Sequence, residues 1–319
     1  MIGESPSSTP AEQTSAATPR GGRFAPTPSG PLHWGSLFTA LISYLSIRAV
    51  HGHWFLRLDD LDTPRIKPGA TDQILEALES HGLCWDGPVQ RQSDNIDAYE
   101  GALAALKQSS ALFYCTCSRR ETAGRPYPGT CRQERSPRPG SAVRIAVDAH
   151  QVHMSDRFAG RITCALSDEG DFILRRRDGV IAYQLASAVD DGDPRITDVV
   201  RGRDLRTSSA KQLFLIDRLE VLGLTAPTYS HVPLFLSDRG AKLSKSLDDA
   251  PIEPAQAPQN VFALLRLLGL AIDEGYRAPV SDQLAYAIAH WPREPAPPVP
   301  FLAEETVAGH WLASRLRVP

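Results

Sequence analysis

Two short stretches hold residue types suited to a polyphosphate. The first, RFAPTPSGPLHWGSL, runs from Arg23 to Leu37. Pro26, Pro28 and Pro31 fix backbone angles and remove amide donors, while Gly30 and Gly35 let a ligand come close to the main chain. A helix beginning near His33 to Ser36 would add amides and a positive dipole end, which suits phosphate. Read alone, the stretch also fits a proline-rich connector with a surface histidine. The second, KLSKS from Lys242 to Ser246, sets Lys242 and Lys245 beside two hydroxyls. Such a loop could clamp a polyphosphate as its charge shifts during nucleotidyl transfer. By itself it is equally a solvated basic loop.

A second kind of chemistry sits between them. Cys115, Cys117 and Cys131 fall within CTCSRRETAGRPYPGTC, whereas Cys84 and Cys164 stand alone. Three clustered thiols in an odd set of five point to a metal site, with reduced surface thiols as the alternative. On chemistry alone the fourth ligand is open: a water or His153 would serve. Arg119, Arg120, Arg125, Arg132, Arg135 and Arg138 crowd the same region against Glu121 and Glu134. They form either a basic face for RNA phosphates or a solvated loop. The whole chain carries a net charge of -3, so no bulk positive surface is implied.

These residues need elements to position them. SLFTALISYLSIRAVHG has helical spacing and stops at Gly52, and HWFLRLDD reads as a strand that delivers Asp59, Asp60 and Asp62 to its end. Thr71 is placed to cap the helix TDQILEALESHG, and a third helix runs through NIDAYEGALAALKQ. In FILRRRDGVIAYQLASAVDD, Arg177, Asp178 and Gly179 suggest a tight turn between two strands leading into a helix. ITDVVRGRDL is a further strand, Thr207 is placed to cap AKQLFLIDRLEVLGL, and NVFALLRLLGL is a helix ahead of a proline-rich tract and a terminal amphipathic segment. Such alternation predicts an α/β fold with a mostly parallel sheet covered on both faces. The 319 residues allow about two units. The Ser/Thr/Pro/Ala-rich start reads as a disordered tail without a secretory signal, and no apolar run is long enough for a bilayer. A cytoplasmic protein is expected.

The pair PLHWGS and KLSKS resembles the two signatures of class I aminoacyl-tRNA synthetases. RFAPTPSGPLHWGSL, RLDDLD, AYQLASAVDD and VVRGRDL are more closely similar to the glutamyl-tRNA synthetase catalytic domain, over roughly Arg23 to Ser246. The resemblance implies a Rossmann-type fold that makes glutamyl-adenylate from ATP and L-glutamate and passes the glutamyl group to RNA. It implies glutamate contacts at Arg23, Phe24, Ala25, Pro26, Thr27, Asp59, Tyr183 and Arg201. For ATP, with Mg2+, it implies His33, Gly35, Ser36 and Lys245, with His33, Ser36, Lys242 and Lys245 catalytic. Independently, glutamate's two carboxylates and one ammonium call for arginine donors and a carboxylate. Three departures stand out: Ser36 replaces the second His of the first signature, Leu243 replaces Met, and Asp59 is a methylene shorter than the usual Glu.

Only about seventy residues follow Ser246, fewer than the anticodon-binding region of that family needs. The chain therefore resembles the short paralogues, the glutamyl-Q tRNA(Asp) synthetases, which attach glutamate to queuosine in the anticodon of tRNA(Asp). That likeness implies a structural Zn2+ held by Cys115, Cys117, Tyr127 and Cys131, no membrane partner, and a monomer. The expected layout is a tail over 1–21, a first catalytic half over 22–113, and a zinc-binding insertion over 114–170. A second catalytic half with the KLSKS loop covers 171–249, and a short helical region covers 250–319. A truncated synthetase charging a tRNA 3′ end, or an inactive RNA- or adenylate-binding module, are the alternatives.

Overall fold

The computed structural model describes residues 19–109, 111–122, 126–235, 252–271, 273, 277–292 and 306–307. KLSKS, with Lys242 and Lys245, lies outside them, as do Arg125 and nearly all of the expected tail. In chain order the first part contains β1 (Gly21–Phe24), α1 (Trp34–Arg48), β2 (His53–Leu58), α2 (Ala70–Ser80), β3 (Gln90–Arg91) and α3 (Ile96–Ser109). The middle contains β4 (Leu112–Cys115), the short α4 (Arg119–Thr122), β5 (Ala142–Ile145), β6 (Gln151–Asp156), β7 (Gly160–Ala165), β8 (Phe172–Arg175) and α5 (Tyr183–Asp191). Then follow β9 (Asp198–Gly202), α6 (Arg206–Arg218), β10 (Thr228–Val232), β11 (Leu234–Phe235), α7 (Ala257–Leu267), α8 (Val280–His290) and β12 (Thr306–Val307).

Five strands form one sheet in the order β10-β9-β1-β2-β3, and every pairing in it is parallel. From β1 the chain winds outward through β2 to β3. It later returns to the other side of β1 as β9 and winds outward to β10. The β1/β9 boundary is thus a topological switch point, where the loops leaving the two strands part and open a crevice. A three-stranded antiparallel sheet β4-β5-β8 and the hairpin β6-β7 stand apart from the parallel sheet.

Helix α1 is apolar on most of its circumference because it is covered on more than one side. Leu37, Phe38, Leu41, Ile42, Leu45 and Ile47 are buried, and they share a core with Trp54 and Leu56 of β2, Leu264 and Leu265 of α7, and Leu284 of α8. Each such side chain contributes roughly 1.5–3 kcal/mol by leaving water. Gly22 is required at the contact: a Cβ there would collide with Ile47. Close approach of α1 to β1 sets where the loop between them, 25–33, must turn.

Several local expectations change. Gly69, in the left-handed conformation with φ 75°, precedes α2, so Thr71 lies inside its first turn and does not cap it. Leu205 precedes α6 with no side-chain cap, and Thr207 is likewise inside that helix. Gly179 does make the turn after Arg177 and Asp178, with φ 88°, but beyond it only Ile181 bridges back to Arg175 instead of a second full strand. Helix α8 is an element that the sequence pattern does not show, because Leu284 and Ala287 are the apolar residues it buries and Pro-rich sequence follows it.

Candidate active site

A cleft of about 850 Å³ opens at the carboxyl ends of β1 and β9. Its walls include Arg23, Phe24, Ala25, Pro26 and Thr27 leaving β1, then Gly30, His33, Gly35 and Ser36 entering α1, and Arg201 and Gly202 ending β9. Arg65 and Lys67 add positive charge, and Asp204 is the acid among the lining residues. The proline-rich stretch is therefore a wall of the crevice, where the switch-point rule places ligands. Gly30 holds φ at 152°, which an L side chain rarely adopts.

His33 is the N-cap of α1. Its Nδ1 accepts the Ser36 amide at 3.2 Å, and its Nε2 lies 2.9 Å from Ser36 Oγ. The Ser36 amide is thus already satisfied by the ring, so this amide differs from the unpaired group expected from the sequence. Ser36, standing where the signature has a second histidine, instead braces the first.

Behind the cleft lies a buried ionic cluster. Arg23 donates from Nε to Asp191 Oδ1 at 2.9 Å and from Nη2 to Oδ2 at 2.7 Å. Arg57 donates from Nη1 to Asp191 at 2.6 Å and from Nε to Asp59 at 2.7 Å, and it lies 3.5 Å from Asp190. Burial works against charge throughout, yet the Arg23 and Arg57 guanidiniums hold the Asp191 carboxyl well below the usual carboxylate range. Burial raises the Asp59 carboxyl despite Arg57. Arg23 and Arg57 thus stand against the three carboxylates of Asp59, Asp190 and Asp191, and Arg201 lies near enough to lower the Asp191 carboxyl further.

Arg201 is arranged differently. It is 4% exposed, and its hydrogen-bond partners are neutral: Ser209 Oγ accepts from Nε at 3.1 Å and also from Nη2, and Gln212 Oε1 accepts from Nη1 at 2.7 Å. The guanidinium lies 4.3 Å over the Tyr229 ring. Arg23 therefore faces the cleft with its fork occupied by a carboxylate, whereas the hydrogen-bond partners of Arg201 are all neutral. Asp59 and Tyr183 do not line this cleft. Asp59 is joined to it through Arg57, Asp191 and Arg23. Tyr183, 39% exposed, lines a separate cavity of about 420 Å³ with Tyr127, Arg144 and Arg176.

Arg57 lies in RLDDLD and Asp190 and Asp191 in AYQLASAVDD, yet their role in this cluster is absent from the expectations drawn from sequence. A signal existed: Tyr183, Ser187 and Asp191 are spaced by four, so they share one face of α5. Ser209, Gln212, Tyr229 and His231 around Arg201 were also missed, since nothing local links β9, α6 and β10 side chains.

At the cysteine cluster the three Sγ atoms of Cys115, Cys117 and Cys131 lie within 4.8 Å of one another. Tyr127 Oη is 3.4 Å from Cys115 Sγ and 3.7 Å from Cys117 Sγ, and Cys117 and Cys131 Sγ are 3.6 Å apart. A tetrahedral zinc with its usual bond lengths needs S···S of about 3.8 Å and S···O of about 3.5 Å, so the donor set fits. His153 is not in the cluster; it is exposed on β6 and pairs with Thr163 Oγ1 at 3.0 Å. Burial pushes the Cys117 thiol up to about 11. At Cys131 burial also opposes ionisation, but hydrogen bonds from Tyr127 and the Thr116 amide outweigh it and lower the thiol. Of the arginines nearby, Arg132 is bound to Asp171 and Asp148, Arg135 to the Leu112 carbonyl and Arg138 to Glu134. The expected basic face is therefore partly spent inside the fold, while Arg120 stays exposed.

The model of the catalytic domain of class I tRNA synthetases (E and Q) matches residues 21–125 and 129–277. A glutamyl-Q tRNA(Asp) synthetase of Pseudomonas aeruginosa is 45% identical over 288 residues, covering 89% of this chain and 97% of that protein. The chain belongs to the glutamyl-Q tRNA(Asp) synthetase family. Another glutamyl-Q tRNA(Asp) synthetase, from Pseudomonas fluorescens, is 48% identical over 276 residues, 85% of this chain and 91% of that one. Among solved structures, a glutamate tRNA ligase of Elizabethkingia meningosepticum in complex with its amino acid superposes with a TM-score of 0.68 at 23% identity. A glutamate-tRNA synthetase of Elizabethkingia anophelis gives 0.68 at 24%. The alignments cover 83% of this chain in both cases and 64% and 65% of those chains, and they establish the class I catalytic fold.

Proposed function

We propose that the protein activates glutamate with ATP and transfers the glutamyl group to queuosine in the anticodon of tRNA(Asp), as a cytoplasmic ligase. The observation that carries the reading is the switch-point cleft, which places Arg201 and the α1 entry, His33 to Ser36, around one space large enough for an amino acid and a nucleotide. ATP lies along the α1 entry, near the positive side chains of Arg65 and Lys67. Glutamate lies deeper, with a carboxylate on Arg201 and its ammonium toward the carboxylates of the Asp59–Asp190–Asp191 group. Phe24 to Thr27 form the wall between them, and Arg23 holds that wall in place through Asp191.

In the first step a glutamate carboxylate oxygen bonds to the α-phosphorus of ATP and the bond to pyrophosphate breaks. In the second, an acceptor hydroxyl attacks the glutamyl carbonyl carbon and AMP leaves. Alignment and fixed positive charge supply the acceleration, with no covalent enzyme intermediate. His33 and Ser36 hold the entry rigid, and Lys242 and Lys245 neutralise charge on the phosphates, which travel with Mg2+. Cys115, Cys117, Tyr127 and Cys131 hold Zn2+ in a closed four-ligand site, which serves folding and not the reaction.

Labelling with radioactive glutamate tests this reading. Label is expected on tRNA(Asp) carrying queuosine, none on the same tRNA lacking it, and glutamate-dependent ATP–pyrophosphate exchange is expected without RNA. Labelling of queuosine-free tRNA at its 3′ end would establish the conventional alternative instead. Absence of exchange in the wild type, with nothing for Lys245→Ala to abolish, would leave only a binding module.

A further inference from the structure

The second layer around Arg201 contains a chain of buried polar groups that the reaction itself does not use. Ser209 Oγ, which holds Arg201, lies 2.6 Å from His231 Nε2, and His231 Nδ1 lies 2.5 Å from Asp156 Oδ2. Ser209 and His231 are fully buried and Asp156 is 2% exposed. The three residues come from different elements: Ser209 from α6, His231 from β10 and Asp156 from the end of β6 in the hairpin outside the parallel sheet.

With a neutral ring, the donors and acceptors leave one consistent arrangement. Asp156 Oδ1 accepts the Phe158 and Ala159 amides at 2.8 and 2.9 Å, and Oδ2 accepts the His231 amide at 3.1 Å. Every neighbour of this carboxylate is thus a donor, so His231 must present Nδ1–H to it. The ring is neutral: burial lowers its basicity first, and Arg201 adds to that, while Asp156 opposes. A neutral ring protonated at Nδ1 has a bare Nε2, which at 2.6 Å takes the Ser209 hydroxyl proton in preference to the Leu205 carbonyl at 3.2 Å. Both remaining lone pairs of Ser209 then face Nε and Nη2 of Arg201. The reverse tautomer would point Nε2–H at Ser209, using one lone pair and leaving two arginine donors to compete for the other.

We infer that Asp156, His231 and Ser209 form a positioning relay, which sets the proton order so that Arg201 is held by neutral acceptors and keeps its charge for the substrate carboxylate. The relay rests on the reading of Arg201 as a glutamate contact. Positioning by a neutral hydroxyl has a specific advantage over positioning by a carboxylate. A carboxylate would align the guanidinium equally well but cancel its charge, as Asp191 does for Arg23. Gln212 and the Tyr229 ring complete the clamp on the same principle.

Steady-state ATP–pyrophosphate exchange with the full chain, glutamate and ATP varied separately, tests the relay. Ser209→Ala and Asp156→Asn are expected to raise KM for glutamate about tenfold to hundredfold while KM for ATP stays within twofold, since only the glutamate contact is loosened. Asn at 156 must turn an amide NH2 toward donors on one side or the other, so it disturbs the tautomer without changing volume. Arg201→Ala is the control. If it raises KM for glutamate and the two relay variants do not, the relay is overturned and the glutamate reading stands; if Arg201→Ala changes nothing, the glutamate reading itself falls. Nitrogen NMR of His231 in the wild type needs no variant to fold. A protonated Nδ1 with a bare Nε2 supports the relay, and a proton on Nε2 overturns it.

Discussion

Replacing Asp191 with Asn probes the buried cluster behind the cleft. Asp191 is fully buried and accepts three charge-assisted hydrogen bonds, two from Arg23 and one from Arg57. Arg57 keeps Asp59 and Asp190 in the variant, whereas Arg23 loses its carboxylate and keeps one neutral amide oxygen and the Val200 carbonyl at 3.4 Å. Breaking a buried pair costs about 3–5 kcal/mol, and because only one guanidinium is orphaned the lower end, about 3 kcal/mol, applies. With unfolding entropy of about 2.1 cal/mol/K per residue over the chain, that loss lowers Tm by about 4–5 °C. The pH dependence is equally constrained. A carboxyl whose folded pKa is depressed contributes stability that is complete above its unfolded value, near 3.9, and is lost as pH falls through the folded value. The difference between wild type and Asp191→Asn, measured by urea unfolding, is therefore expected to be constant from pH 8 to pH 5. A difference below about 1 kcal/mol, or one that already shrinks between pH 7 and pH 5, would refute the depressed carboxylate and the pairing it rests on.

Further outcomes follow from other parts of the fold. The purified protein is expected to hold about one equivalent of zinc, lost together with thermal stability in Cys131→Ser. Because the Cys117 thiol is pushed up to about 11, it must release its proton on binding, so apparent zinc affinity measured by competition with a chelator rises with pH between 6 and 8; a pH-independent affinity would argue against thiolate ligation. Gly22→Ala is expected to cost about 1–3 kcal/mol in urea unfolding, since its Cβ meets Ile47, and an unchanged midpoint would mean that α1 does not sit against β1 as described.

Much of the site was legible in the sequence because its first wall is continuous in the chain. Arg23 to Ser36 forms a loop and a helix start from local chemistry, prolines, glycines and a capping histidine, and that chemistry survives whatever packs on it. The clustered cysteines were legible for the same reason, and so was the alternation of strands and helices that makes a parallel sheet. Thr71 and Thr207 were misread because a hydroxyl near a helix start is only one way to begin a helix, and Gly69 and Leu205 began these two differently.

What only the tertiary structure decided is which charges are spent and which remain available. Arg23 and Arg201 look alike along the chain, each an arginine in a parallel strand. Folding gives one a buried carboxylate from α5, 168 residues away, and the other two neutral acceptors from α6. Tyr127, and not His153, reaches the thiols for a similar reason. Residue type and spacing determine what a side chain is able to do, but its partners come from strands and helices brought together by sheet order, and desolvation then makes each partnership strong enough to set the chemistry.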